Sequence, residues 1–381
     1  MRDAVIVEAV RTPVGKRNGA LREVQPVDLS AHVLTALAER SGIDPAVVED
    51  VVWGCVLQVG EQSLDIARNA VLGAGWPESV PGVTVDRQCG SSQQAVSFAA
   101  ASVIAGQCDV AVAGGVESMT RVQMGMSVAG QWPFGEGYRA RYGDIPPHQG
   151  QGAEMIVERW GLSRTQVDEF SLESHAKAAA AQDEGRFAAE IAAVTNPAGI
   201  KVEADEGVRR GSTLEKLATL KPAFRPDGVI TAGNSSQISD GAAAVLITTS
   251  EKAAELGLTP LVRVHTAVVA ADDPIIMLTG PIPATAKALK RSGLSIGDIG
   301  VFEVNEAFAP VPLAWLAETG ADPARLNPNG GAIAIGHPLG GSGARLMTTM
   351  IHHMRATGAR YGLQTMCEGG GQANATILEL L

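Results

Sequence analysis

The feature that most constrains this chain is an alternation of β-branched runs and helical segments that occurs twice in the same order. In the first series AVIVEAV near residue 4 has the composition of a strand. Residues 28–40 (DLSAHVLTALAER) carry apolar positions at helical spacing up to Gly42, and VEDVVWGCVL is strand-like again. A helix over 65–72, the strand VTVD, a small-residue helix from Ser91 to Ala105 and the strand DVAVAGG complete it. The second series starts with strand LVRVHTAVVA, helix PATAKALKRSG, strand IGVFEVN and a helix near AFAPVPLAWLAETG. It continues through strand RLNPN, the segment GGAIAIGHPLGGSG, a helix from Ala344, and strands around LQTMC and ANATILEL. In both, the third strand enters a glycine-containing turn and a small-residue helix (VTVDRQCGSSQQAV; RLNPNGGAIAIGHPLGGSGARL). The pattern predicts an α/β protein of two duplicated halves, with a mostly parallel sheet covered by helices.

Residues 119–238 break the rhythm. WPFGEGYRARYGDIPPHQG, a long amphipathic helical stretch and the run KPAFRPDG read as an insertion. The first half is therefore 1–118 plus 239–259, with a helix at SEKAAELG capped by Ser250 and stopped by Gly257, and the second half is 260–381. With 41 acidic against 30 basic residues the net charge is -11, which excludes nucleic-acid binding through a global positive field. Cys55, Cys89, Cys108 and Cys367 form no CxxC pair, so they read as free thiols of a reducing cytoplasm. No secretory signal or run of ~18 apolar residues is present, so a cytoplasmic protein without a membrane span is expected.

Cys89 stands between a predicted strand and a helix N-terminus, whose partial positive charge favours thiolate; it is either a nucleophile or a buried inert thiol. Cys55 and Cys108 lie inside apolar strand-like runs and read as packing. His337, followed by Pro338 in a glycine-rich loop, is a candidate base. His352 and His353 fall in a helix and read as packing or surface. Asn305 and Glu306 end a strand, where α/β proteins place ligand contacts, and Asn305 also suits a helix N-cap. Cys367 precedes Glu368 and three glycines whose N–H groups could face a reacting oxygen. GHPLGGSGAR lacks the lysine of a P-loop.

Taken together, VDRQCGSSQQA, AGGVESM, TAGNSSQISDGAA, GPIPA, VNEAFA, NPNGGAIAIGHPLGGSGAR and CEGGG resemble the thiolase family over nearly the whole chain and in its order. The resemblance implies the thiolase fold, layered αβαβα with an inserted loop domain, and reversible condensation and thiolysis: acyl-CoA + acetyl-CoA giving CoA + 3-oxoacyl-CoA. It implies Cys89 as the acyl-carrying nucleophile, His337 as its base, and Cys367 as the group that moves the α-carbon proton. One oxyanion site would use His337 with a water held by Asn305, and the other the backbone N–H groups of Cys89 and Gly369. His148 and Ser236 match pantetheine-side positions, and Met277 and Phe308 the acyl-side wall. Arg209 and Ala232 join the coenzyme A set, with Lys201, Arg210, Lys216, Lys221 and Arg225 as a basic cluster for the nucleotide.

Coenzyme A is then a substrate, with no resident cofactor or metal, and the implied assembly is a homodimer or homotetramer. Members specific for acetoacetyl-CoA usually have Met at Gln149 and Gly at Gln237, and the position of Glu368 is commonly apolar. These departures bear on acyl length. Alternatives are a decarboxylating ketoacyl synthase of the same fold, disfavoured by Cys367 and CEGGG, and a catalytically silent acyl-CoA-binding protein, which has no need of Cys89, Asn305, His337 and Cys367 together. A papain-like Cys/His/Asn hydrolase does not fit the surrounding motifs.

Overall fold

Strands form where β-branched residues recur, and helices where small and apolar residues recur at 3.6-residue spacing. The computed structural model describes residues 2–144 and 146–381. The first series gives β1 (Val5–Arg11), α1 (Pro26–Ser41), β2 (Asp50–Gly54), α2 (Ile66–Gly73), β3 (Gly82–Val85), α3 (Ser91–Ala105) and β4 (Val110–Ser118). The insert carries α4 (Gln149–Trp160) and α5 (Arg164–Asp183) before β5 (Ser239–Thr248). The second series gives β6 (Val262–Ala271), α6 (Pro281–Ser292), β7 (Val301–Val304), α7 (Pro310–Thr319), α8 (Ser342–Thr357), β8 (Tyr361–Glu368) and β9 (Gln372–Leu380).

The strands lie in the order β7-β8-β9-β6-β1-β5-β4-β2-β3, with the short strand Gly15–Lys16 beside β5. The duplication is visible here. One half reads β3-β2-β4-β5-β1, and the other repeats it as β7-β8-β9-β6, with the parallel bridge Phe302↔Leu326 where β3 pairs with β2. The halves meet where Val5 and Ile6 pair with Arg263 and Val262.

The sheet is mixed rather than mostly parallel. Among the named strands of the described residues only β2–β3, β2–β4 and β7–β8 pair in parallel, isolated bridges aside. β5 returns antiparallel to β4 after the helical insert, and β9 returns antiparallel to β8 through a tight turn, so neither is added in the parallel sense of a βαβ unit. Residue periodicity reports burial, which is the same for either direction. RLNPN is not a strand: Pro323–Arg325 forms a 3-10 turn, and Asn327, at φ 43°, turns its amide back onto the backbone of Val304. The cap of the helix Ser250–Glu255 is Thr249, which accepts from the Lys252 N–H at 3.0 Å, while the Ser250 hydroxyl donates to Asp3.

On β4, Val110, Val112 and Val116 pack toward α1 and α2, while Ala111 and Ala113 face the central layer. That layer is α3 against α8, where Val96, Ala99 and Val103 join Met347, Met350 and Met354 between strands of both halves. α6 and α7 cover the far face of β8 and β9 through Ala284, Ala288 and Trp315. This is the αβαβα layering. A Cβ on Gly343 would lie 2.3 Å from the backbone N of Gln93, so only glycine permits this approach of α8 to α3. Fully buried Arg11, at the end of β1, bonds Glu190 at 2.6 Å and Asp205 at 2.7 and 3.0 Å, tying the insert to the first half.

Candidate active site

Cys89 lies in the turn from β3 into α3. The preceding Gln88 is held at φ 49°, a conformation that costs a non-glycine residue energy and persists here because its surroundings fix it. Ser91 supplies that fixing: its hydroxyl donates to the Gln88 carbonyl at 2.6 Å and accepts from the Arg87 N–H at 2.9 Å. His337 stands just before α8, its own N–H donating to Ser239 Oγ at 3.1 Å. The Ser342 hydroxyl donates to the Pro338 carbonyl at 2.7 Å, so at 2.6 Å its oxygen accepts from His337 Nδ1–H. The imidazole lone pair is thereby placed on Nε2, which accepts from the Asn305 amide at 3.4 Å. Asn305 follows β7, and its own Oδ1 has no partner among the described residues. Cys367 closes β8, and Gly369 lies in the turn to β9.

One cavity of about 180 Å³ brings Cys89, His337, Cys367 and Gly369 together from both halves. Met277 and Phe308 form its apolar side with Phe224 and Leu278, and Gln149 lies on its rim beside Met124. A second cavity adjoins it and shares Ser236 and Gln237 as its border. It contains Arg209 and Ala232 together with Lys16 and Arg17. A mainly apolar chamber that opens into a basic one is suited to an acyl thioester whose far end carries phosphates.

Helix position alone favours a Cys89 thiolate, but the surroundings reverse this. Burial, and then the neighbouring Glu368 carboxyl, push the thiol up to about 12. Burial also holds Cys367 well above the usual thiol range. Both cysteines are therefore thiols in the free protein. Burial, followed by the Arg345 charge, pushes His337 down to about 3, so the ring is a neutral base throughout the physiological range. It follows that kcat/KM measured from pH 5 to 8 should show no acid limb near the ordinary histidine value; a limb centred at 6 to 7 would show that His337 protonates in contact with solvent.

The remaining sequence candidates separate. His148 is not in the cavity wall: it caps α4 by accepting from the Gly150 N–H and packs against Phe224, ring centres 5.4 Å apart and planes inclined at 54°. Glu306 is buried, accepting from Ser174, Asn327 and the Ile333 N–H, so it braces the glycine-rich segment rather than the site. α7 is capped at Ala309 and not at Asn305, which leaves the Asn305 amide free to meet His337. The basic cluster does not converge, because Lys201 pairs with Glu203, Arg210 with Asp183 and Arg225 with Glu158, leaving only Arg209 of the six in the second chamber. Lys16 and Arg17 were not found from sequence, since they lie some 190 residues from Arg209; the only hint was their place beside the first strand. Ser342 was also missed, although its spacing of five after His337 is that of a loop closing onto a helix start. Cys55 and Cys108 are buried, and His352 bonds the Ala9 carbonyl, as packing residues do. Among the described residues no group of three metal-ligating side chains converges, and no helix is long and apolar enough to cross a membrane.

Comparison with known proteins agrees along the whole length. The family profile for the N-terminal domain of thiolase matches residues 4–251, and that for its C-terminal domain matches 258–380. The chain is 51% identical to the steroid 3-ketoacyl-CoA thiolase FadA6 of Mycobacterium tuberculosis, over all of this chain and 95% of that protein. It is 47% identical to a 3-ketoacyl-CoA thiolase of Idiomarina loihiensis and 46% to one of Erwinia tasmaniensis, each over the full length of both chains. With both family profiles matched in order and a cavity that joins the two halves, the chain belongs to the thiolase family.

Proposed function

We propose that the chain interconverts acyl-CoA plus acetyl-CoA with CoA plus 3-oxoacyl-CoA through an acyl group carried on Cys89. The observation that carries this reading is the convergence of Cys89, His337 and Cys367 on one cavity. The Cys89 sulfur attacks the thioester carbonyl as its proton passes to His337 Nε2. The C–S bond to coenzyme A breaks, and the departing thiolate takes the proton of Cys367. Cys367 is then a thiolate in a site that strongly disfavours the charge, which makes it a strong base toward the α-carbon of acetyl-CoA. It removes that proton, the carbanion attacks the acyl carbonyl, and Cys89 leaves and recovers its proton from His337. The N–H groups of Cys89 and Gly369, and His337 with a water on the unpartnered Asn305 Oδ1, are the proposed donors to the two oxyanions. Coenzyme A serves as substrate, and each step uses the chain's own groups.

For the acyl group, we infer a chain longer than that of acetoacetyl-CoA. A cavity of about 150 Å³ admits benzene, so about 180 Å³ lined by adaptable methionines takes more than a methyl ketone. The relatives' names point the same way, one of them to steroid-derived substrates. Thiolysis assays with acetoacetyl-CoA and with 3-oxoacyl-CoAs of six or more carbons test this. Failure to cleave any of them rejects the activity, and preference for acetoacetyl-CoA rejects the acyl assignment. The second chamber is the proposed seat of the coenzyme A nucleotide, beneath the 119–238 insert. Arg209→Ala should raise KM for CoA thioesters while leaving kcat nearly unchanged, and should leave KM for pantetheine thioesters unaltered; equal losses for both would remove Arg209 from this role.

A homo-oligomer formed through the β3 edge fits the exposed apolar residues Val83, Phe98 and Ile104 on and beside it. A cytoplasmic location fits the four free cysteines.

A further inference from the structure

Glu368 is a buried acidic group that the proposed steps leave unused. Its carboxyl lies against Gly90, the N-cap of α3, where a Cβ would fall 1.9 Å from Glu368 Oε1, so glycine at 90 makes room for it. With the Asn374 amide turned so that both of its ends are satisfied, its nitrogen donates to that oxygen at 2.9 Å and its oxygen accepts from the Gln94 N–H at 3.1 Å. The other carboxyl oxygen, Oε2, is buried and has no partner among the described residues. Cys89 precedes Gly90 by one residue, and Glu368 and Cys89 line the same cavity.

We propose that Glu368 is a positioning residue for Cys89, its carboxyl sharing one proton with the thiol so that thiolate is available while the carboxyl is protonated and suppressed once it ionises. The inference rests on Cys89 as the acyl carrier. The groups that face the carboxyl are Asp86, Arg87 and Cys89 from the turn before α3, Cys367 from β8, and the neutral Asn374 from β9. Arg87 does not neutralise it, because burial outweighs that charge and pushes Glu368 up to about 8. A carboxylate there opposes the favourable field of the α3 N-terminus on the sulfur. Below pH 8 the carboxyl is neutral, and the Cys89 thiolate population rises about tenfold per pH unit. Above it, the thiolate–acid pair and the thiol–carboxylate pair hold the same number of protons, so their ratio no longer changes with pH.

The test is the rate of Cys89 alkylation by iodoacetamide from pH 6 to 9.5, followed on the Cys89 peptide by mass spectrometry. The wild-type rate should level off near pH 8. In Glu368→Gln it should keep rising and exceed wild type by about tenfold one unit above the bend. Glu368→Met, close in length and apolar, should behave like the Gln variant and serves if that variant does not fold. Profiles of the same shape in wild type and variant, whatever their absolute rates, would overturn the proposal. Alkylation needs no acyl turnover, so loss of the thiolase reading in the acyl-CoA assays would be seen separately.

Discussion

Replacing Cys89 by alanine should remove both directions of the reaction, by on the order of 10⁶-fold, the scale seen when the nucleophile of a covalent catalyst is lost. The same variant should take up no label from radioactive acetyl-CoA, because no other thiol shares its place. Cys55 and Cys108 are buried elsewhere, and Cys367 is held as a deeply buried thiol. The arrangement at Cys89 also limits what can substitute. Serine would have to surrender a proton far less acidic than a thiol's to a neutral His337, in a site where burial already opposes the charged form. Recovery of label on Cys89-free protein, mapped to a different cysteine, would reject the assignment.

The second large effect separates the two thiols. Cys367→Ser should still form the acetyl-enzyme at Cys89, since attack and proton transfer to His337 do not involve the α-carbon and the departing CoA thiolate can take its proton from solvent instead. Condensation and thiolysis should fall by about 10²- to 10⁴-fold, the range expected for one general acid–base group. Two measurements check this together: single-turnover labelling by acetyl-CoA, and exchange of α-deuterium from acetyl-CoA into solvent. Labelling should persist and exchange should collapse. A variant that forms no acetyl-enzyme, or that condenses near the wild-type rate, would show that Cys367 does not hold this role.

How much of this was legible in the sequence depends on the kind of information each feature needs. The bounds of α3 follow directly from the run of small residues between Ser91 and Gly106, because helix periodicity and a glycine stop are local signals. Cys89, His337 and Cys367 stood out because each lies beside turn-forming glycines at the end of a regular element. Strand direction was not legible, since β5 and β9 carry the same apolar alternation whichever way they run. The charge state of Cys89 was misjudged for a related reason. The helix N-terminus is visible in the sequence, but the burial that outweighs it comes from the fold, and the Glu368 carboxyl that adds to it once ionised stands 279 residues away. The same holds for Lys16 and Arg17, which reach Arg209 only through the fold.

The contact of Gly343 with Gln93 has a bearing on when the protein becomes an enzyme. Cys89 belongs to one half of the duplication, and His337, Asn305 and Cys367 to the other. The seam that registers them is the glycine-permitted approach of α8 to α3 at Gly343 and Gln93. Each half taken separately holds an incomplete set of reactive groups, so competence arises at the docking of two repeats and not in the folding of either.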